Sequence, residues 1–195
     1  MKSLVIKGNT KIGKACTFNV PPVKTCKPTR WCMKGLNGKP ACYAQRGHHN
    51  NPIVQDSMEN RLKASKRADF VDRTIDELAR IRKVEYFRIH AAGDFYSEEY
   101  VRKWIAICKA TPHIKYWAAT RRRDLTKVIR ELDALPNVIV RQSLDESSPK
   151  PSMGLKLATI YGVPAGKGGF VCPGACDPCG YHCWNKRSNV QFHIH

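Results

Sequence analysis

Four cysteines fall within twelve residues near the end of this chain, Cys172, Cys176, Cys179 and Cys183, spaced C-x3-C-x2-C-x3-C with Pro173, Gly174, Pro178 and Gly180 between them. Soft thiolates clustered in this way select zinc or iron–sulfur over hard cations. Glycine and proline let the backbone turn tightly around one centre. Structural zinc sites usually pair two short arms across a longer run, whereas one compact run of thiols is the habit of cubane ligation. A [4Fe–4S] cluster is therefore the expectation here, and zinc the alternative. A second group, Cys26, Cys32 and Cys42, lies in a segment where apolar neighbours are scarce. Free cysteine is ordinarily internal, so three thiols in such a segment point to ligation. Seven thiols thus stand available for one cluster or two. His48 and His49 follow the second group and are further candidate ligands or polyanion contacts.

The charge balance narrows the partners. Thirty-four basic residues against sixteen acidic ones leave +18, and no Asp or Glu occurs between Met1 and Gln55. Such a field attracts polyanions, nucleic acid first, although no RRM, KH, zinc-finger or helix-turn-helix signature accompanies it. No apolar run approaches the length of a membrane span and no signal segment opens the chain. A cytoplasmic protein without membrane contact is expected, and its nine cysteines read as ligands or buried thiols rather than a disulfide framework.

Periodicity supplies the elements that must position these groups. A chain of 195 residues is one comfortable domain. Ser3–Lys7 reads as a short strand, and 16–50 as a basic, cysteine-bearing loop that needs a staple to be ordered. Asn51-Pro52 starts a helical stretch reaching Arg82, broken near Ala68-Asp69. Val84–His90 alternates as a strand. Ser97 caps a helix whose stripe of Val101, Trp104, Ile105 and Cys108 marks Cys108 as core. Strands over 114–120 and 137–143 flank a helix from Asp124. Short strands are expected at 157–161 and 169–171, the last running directly into the 172–184 cysteine module. Strand and helix in alternation imply an α/β fold, with a mainly parallel sheet either open or forming part of a (β/α) barrel. Ligands in such folds bind at the carboxyl ends of the strands. His90 with Gly93 and Asp94, Thr120 with Arg121, and Arg141 with Ser143 are expected there. Arg88 belongs to the same pocket for a small anionic or zwitterionic ligand, and the cysteine segments from both ends of the chain are expected to meet over it.

Lys24-Thr-Cys26 through Cys42-Tyr43-Ala44, Phe87-Arg-Ile-His-Ala-Ala-Gly-Asp-Phe95, Trp117-Ala-Ala-Thr-Arg121 and the terminal Cys183-Trp184 together resemble the bacteriophage "gene product 88" family over roughly residues 17–185. More remotely the chain is similar to radical S-adenosylmethionine proteins. There a cysteine triad ending in Cys-Tyr precedes a strand whose tip carries a Gly-Gly-Glu-like element holding the methionine amine. That resemblance implies cluster ligation by Cys26, Cys32 and Cys42, with Gly93-Asp94 as the later element. It also implies S-adenosylmethionine as ligand and His90, Asp94 and Arg121 as catalytic candidates around it. The C-x5-C-x9-C spacing is wider than the C-x3-C-x2-C of that group. Three functions follow from these features: a radical-type enzyme, a non-catalytic nucleic-acid-binding protein stapled by a cluster, or a zinc-stapled protein acting on a host factor in the host cytoplasm.

Overall fold

A computed structural model describes residues 3–194. Seven strands form one sheet in the order β1-β2-β3-β4-β5-β7-β6, and every pairing in it is parallel. The strands are β1 (Cys16–Phe18), β2 (Tyr86–Ile89), β3 (Lys115–Thr120), β4 (Val138–Leu144), β5 (Lys156–Ile160), β6 (Phe170–Val171) and β7 (Val190–Phe192). The sheet stays open, with β1 and β6 as its edges. The helices are α1 (Arg30–Lys34), α2 (Pro52–Ser65), α3 (Phe70–Arg80), α4 (Glu98–Ala110), α5 (Thr126–Asp133) and α6 (His182–Asn185).

Alternation along the central strands separates two faces. Phe87 and Ile89, Tyr116 and Ala118, and Val138 and Val140 enter one core with Phe70 and Leu78 of α3, Trp104 and Ile107 of α4, and Ile129 and Leu132 of α5. The helices begin where their caps dictate. The Ser97 hydroxyl accepts from Tyr100 N, and Asn51 accepts from Ile53 N with Pro52 at the first helical position. Cys108 is wholly buried in this core. Trp117 and Ile139 point the other way and meet Tyr181, Cys183 and Trp184. One face of the sheet therefore carries the long helices α3, α4 and α5, and the other, free of long helices, takes the irregular segments and the short α6.

Three expectations are corrected. Residues 3–7 do not form a strand; Ile6 makes only an isolated antiparallel bridge to Thr17. The segment read as loop from residue 16 instead begins with β1, too short to show a period and stabilised by its pairing with β2. Lastly, the two cysteine segments do not meet over the strand tips. The terminal run is the connection between β6 and β7 and folds across the helix-free face. There Tyr181 stacks on Tyr86, the first residue of β2, and the Asn185 side-chain carbonyl accepts from Lys115, the first residue of β3. The 26–42 segment lies at the opposite, carboxyl ends of β1 to β4.

Candidate functional site

The carboxyl ends of β1 to β4 are tied together by two buried carboxylates. Asp94, just past β2, accepts from Phe95 N and Thr120 Oγ1 (both 2.7 Å) through Oδ1 and from Arg121 N (2.9 Å) through Oδ2. It thus couples the tip of β2 to that of β3. Burial pushes its carboxyl up, against the pull of these same donors. Asp145, just past β4 and fully buried, accepts from Arg121 Nη2 (3.1 Å) and Thr29 Oγ1 (2.6 Å) through Oδ2, and from Ser147 N and Oγ through Oδ1. Arg121 bridges the two carboxylates. Burial works against its charge, but Cys32, Asp145 and Asp94 outweigh that and hold it above its ordinary value.

This polar lattice carries the cysteine segment that follows β1. The Thr25 hydroxyl donates to Pro21 O and accepts from Asp94 N. Gly93 has φ +87°, and a Cβ there would stand 2.4 Å from Val20 Cγ2 and 2.5 Å from Val20 O. Only glycine lets the 20–25 chain lie this close. Thr29 caps α1 by accepting from Cys32 N (3.2 Å). Cys42 N donates to Cys32 O (3.2 Å). The Tyr43 hydroxyl donates to Ala91 O. Cys32 is thereby anchored to Asp145 through one threonine, and Cys42 to Cys32 through one backbone bond. Burial and then the Asp94 carboxylate push the Cys26 thiol up to about 12, with Cys42 a lesser contributor. These thiols are free, and Cys26 in this environment is a protonated thiol, not a nucleophile.

A cavity of ≈ 740 Å³ opens on the helix-free face beside this segment. Cys32 and Cys42 line it, with Arg88, Trp117, Ala119, Arg121 and Ser143 from the sheet and His48 and His49 from the loop. The Arg88 guanidinium carbon lies 4.5 Å from the Trp117 ring centroid, and its Nη2 donates to Tyr43 Oη (3.3 Å). His90 and Asp94 do not line the cavity. His90 is buried beneath it with φ +67°, and its Nε2 is 2.8 Å from Tyr100 Oη. Burial and then Arg88 depress its imidazole to about 3, so it stays neutral. His90 and Asp94 are thus placed as positioning residues for the strand tips. Gly93 serves the same end.

Arg141 departs furthest from expectation. It points onto the helix-free face under α6, is fully buried, and donates to Ser188 O (2.9 Å), Cys183 O (2.9 Å) and Lys186 O (2.6 Å). It clamps the terminal cysteine run instead of facing a ligand. Around that run Trp184 Nε1 donates to Phe87 O (2.9 Å), Cys176 N to Lys11 O (2.9 Å) and Lys14 N to Tyr181 Oη (2.9 Å). Burial and then Cys179 and Cys183 push Cys176 up to about 12, and burial pushes Cys183 up to about 11 against the pull of Arg141. None of the four lines the cavity. Among the described residues no three Cys, His, Asp or Glu side chains stand close enough together to hold a metal ion. The donor set in both groups is all-thiol, which suits zinc or iron–sulfur.

Asp145 is the functional residue that sequence reasoning missed. Its signal was its place: an acid immediately past a strand, as Asp94 is past β2.

The comparisons with known proteins agree with the motifs. The family model described as Gene product 88 matches residues 3–154, taking in Cys26, Cys32, Cys42 and the strand tips and ending before the terminal run. The Gene 88 protein of Mycobacterium phage L5 is 25% identical over 226 aligned residues, covering 95% of this chain and 89% of that protein. No solved structure matches. On the span of the family match, this chain belongs to the gene product 88 family of bacteriophage proteins.

Proposed function

We propose that this chain is an iron–sulfur protein in which Cys26, Cys32 and Cys42 would hold a [4Fe–4S] cluster by three thiolates, beside a cavity for a small molecule such as S-adenosylmethionine. The observation that carries this reading is where the three thiols sit. They ride on the segment crossing the tips of an all-parallel sheet, and two of them line the cavity on its helix-free face. When bound, such a cluster supplies single electrons to its ligand. The chain's own residues do the rest. Asp94 and Asp145 fix the strand tips, and Thr29 fixes Cys32. Cys26, whose thiol burial pushes up to about 12, would have to ionise to serve as a ligand. Arg88 and Arg121 meet the negative part of a ligand, and Trp117 walls it from water. Cys172, Cys176, Cys179 and Cys183 form a separate four-thiolate site with a structural role, for a second cluster or for zinc.

Anaerobic purification with iron, sulfide and zinc assays and an absorption spectrum tests this. Brown protein with equal iron and sulfide is expected, and a C26S/C32S/C42S variant is expected to lose one cluster's worth of iron and sulfide. Colourless, iron-free protein after reconstitution would end the proposal. Addition of S-adenosylmethionine to the reduced protein is expected to alter its electron paramagnetic signal; an unchanged signal removes the enzymatic part and leaves the cluster as a staple.

A second reading rests on charge. The acid-free first fifty-five residues suit a nucleic-acid-binding protein acting without catalysis. Its affinity for a duplex would fall steeply with salt and survive C26S/C32S/C42S so long as the fold holds.

A further inference from the structure

The cavity carries a chemical preference that does not depend on any metal. Lys7, Lys11, Arg61, Arg88 and Arg121 line it, and no Asp or Glu does. Asp145 lies behind Arg121 and answers only one of these charges. Five side-chain atoms of lining residues are buried with no hydrogen-bond partner: Arg88 Nε, Arg121 Nε, Trp117 Nε1, Thr159 Oγ1 and His49 Nδ1. The first three are obligate donors. A buried donor left unpaired costs about 1–3 kcal/mol, and such groups in native proteins ask for an explanation such as an ion, a water or a ligand. These atoms are closed to solvent here, and Thr159 Oγ1 lies against Gly166, so the preference of the cavity rests on the charge of its lining. Trp31, Tyr43, Trp117 and Phe192 give the same cavity flat apolar walls, and its ≈ 740 Å³ falls in the range of small-molecule sites, roughly 300–1,000 Å³.

We infer that this cavity binds a small organic anion, a carboxylate or phosphate borne on a flat apolar ring, with Arg88 and Arg121 meeting the oxyanion and the aromatic walls holding the ring. A ligand without an oxyanion would meet five basic side chains, of which only Arg121 is ion-paired to a carboxylate among the described residues. Bidentate guanidinium geometry suits carboxylate and phosphate alike, so the two are separated by experiment.

Titration calorimetry on the purified full chain uses phenyl phosphate and benzoate as probes, with phenol and benzylammonium as the neutral and cationic counterparts. One or both anions are expected to bind with a dissociation constant of roughly 10–500 µM, at least tenfold more tightly than phenol or benzylammonium. The tighter of the two anions names the oxyanion class. R121Q and R88Q are expected each to weaken anion binding tenfold or more. A119F fills the cavity without changing charge and is expected to abolish binding, whereas exposed K109A on α4 leaves it unchanged. Circular dichroism checks that each variant folds. Failure of both anions to bind at millimolar concentration overturns the inference. So does phenol or benzylammonium binding as tightly as the anions, or unchanged anion binding in R121Q and A119F. Because the chain is titrated with and without reconstituted iron, failure here is distinct from failure of the cluster.

Discussion

The two cysteine groups are held by opposite means. The 26–42 segment hangs from buried polar groups: Thr25 on the Asp94 loop, Thr29 on Asp145, Tyr43 on the Ala91 carbonyl. Beside it the protein leaves an open cavity. The 172–183 run is packed instead. Tyr86 stacks on Tyr181 with ring centroids 4.2 Å apart, Trp184 meets Trp117 edge-on, and Arg141 gathers three carbonyls from beneath. Polar anchoring holds a segment at a few points and leaves room around it. Aromatic packing fills the space and leaves none. The first arrangement suits a site where a ligand enters; the second suits a staple. The difference can be broken or sharpened by removing each kind of support in turn.

Removing Arg141 has the largest expected effect. R141A leaves three carbonyls, that of Cys183 buried and those of Ser188 and Lys186 partly so, without their donor and a void under α6, and a hydrogen bond to a charged group contributes about 1.5–3 kcal/mol. A loss of about 3–5 kcal/mol is expected in urea unfolding, with Cys183, now almost fully buried, becoming open to thiol labelling. A loss under about 1 kcal/mol would show that packing alone holds the run.

Acid should find the polar end first. His90 is neutral in the fold, with its imidazole depressed to about 3, while in the unfolded chain it titrates near 6.5. As pH falls below about 6.5 the unfolded chain takes up this proton and the folded one does not. Stability therefore drops toward low pH, at up to about 1.4 kcal/mol per unit from this one group. Asp94 runs the other way: its carboxyl is raised, so the folded protein takes that proton first, above the ordinary carboxylate range, and gains stability there as pH falls. The His90 loss is therefore cleanest just below about pH 6.5, before Asp94 begins to offset it, at up to about 1.4 kcal/mol per unit. In H90N, whose side chain tolerates the left-handed backbone at this position, the slope over that window should flatten. An unchanged slope would assign it to other groups.

What the residues alone disclosed follows from the same physics. The three central strands and α4 were legible because period and burial coincide there: Phe87 and Ile89 alternate into the core, and Val101, Trp104 and Cys108 recur on one helix face. β1 and β7 were not. Three residues cannot show a period, and both strands are made by the neighbours they pair with. Position along a strand placed His90, Asp94 and Arg121 near the tips. It could not tell that Tyr100 and Thr120 converge on two of them and bury them. Arg141 shows the same limit. Alternation put it on the helix-free face, and only the path of the β6–β7 connection, fifty residues downstream, decides that backbone carbonyls rather than a ligand lie above it. Spacing put the terminal thiols in one short run, whereas where that run lies relative to Cys26, Cys32 and Cys42 is a property of that same connection.

At the polar end, D145N keeps the shape of the side chain but replaces the Oδ2 acceptor facing Thr29 and Arg121 with a donor. About 2 kcal/mol of stability should be lost, and Arg121 loses its counter-charge. If the strand tips are truly carried by this carboxylate, the loss should appear in urea unfolding, while labelling of Cys183, at the packed end, stays as slow as in the parent.

The smallest effect is the most discriminating. T29A removes one hydroxyl that both caps α1 at Cys32 N and reaches Asp145. Loss of a threonine cap costs about 1 kcal/mol, and α1 spans only Arg30–Lys34, so the opening should stay local. One kcal/mol corresponds to about a fivefold change in an opening equilibrium. In metal-free protein the labelling rate of Cys32, buried in the parent, should therefore rise about fivefold. Cys183 should not change, because nothing in its packing passes through Thr29. Equal acceleration at both cysteines would mean that the two ends open together and that the polar and aromatic supports form one cooperative unit. An unchanged Cys32 rate would mean that the segment is held by its backbone bonds, Cys42 N to Cys32 O among them, and not by the threonine that links it to the strand tips.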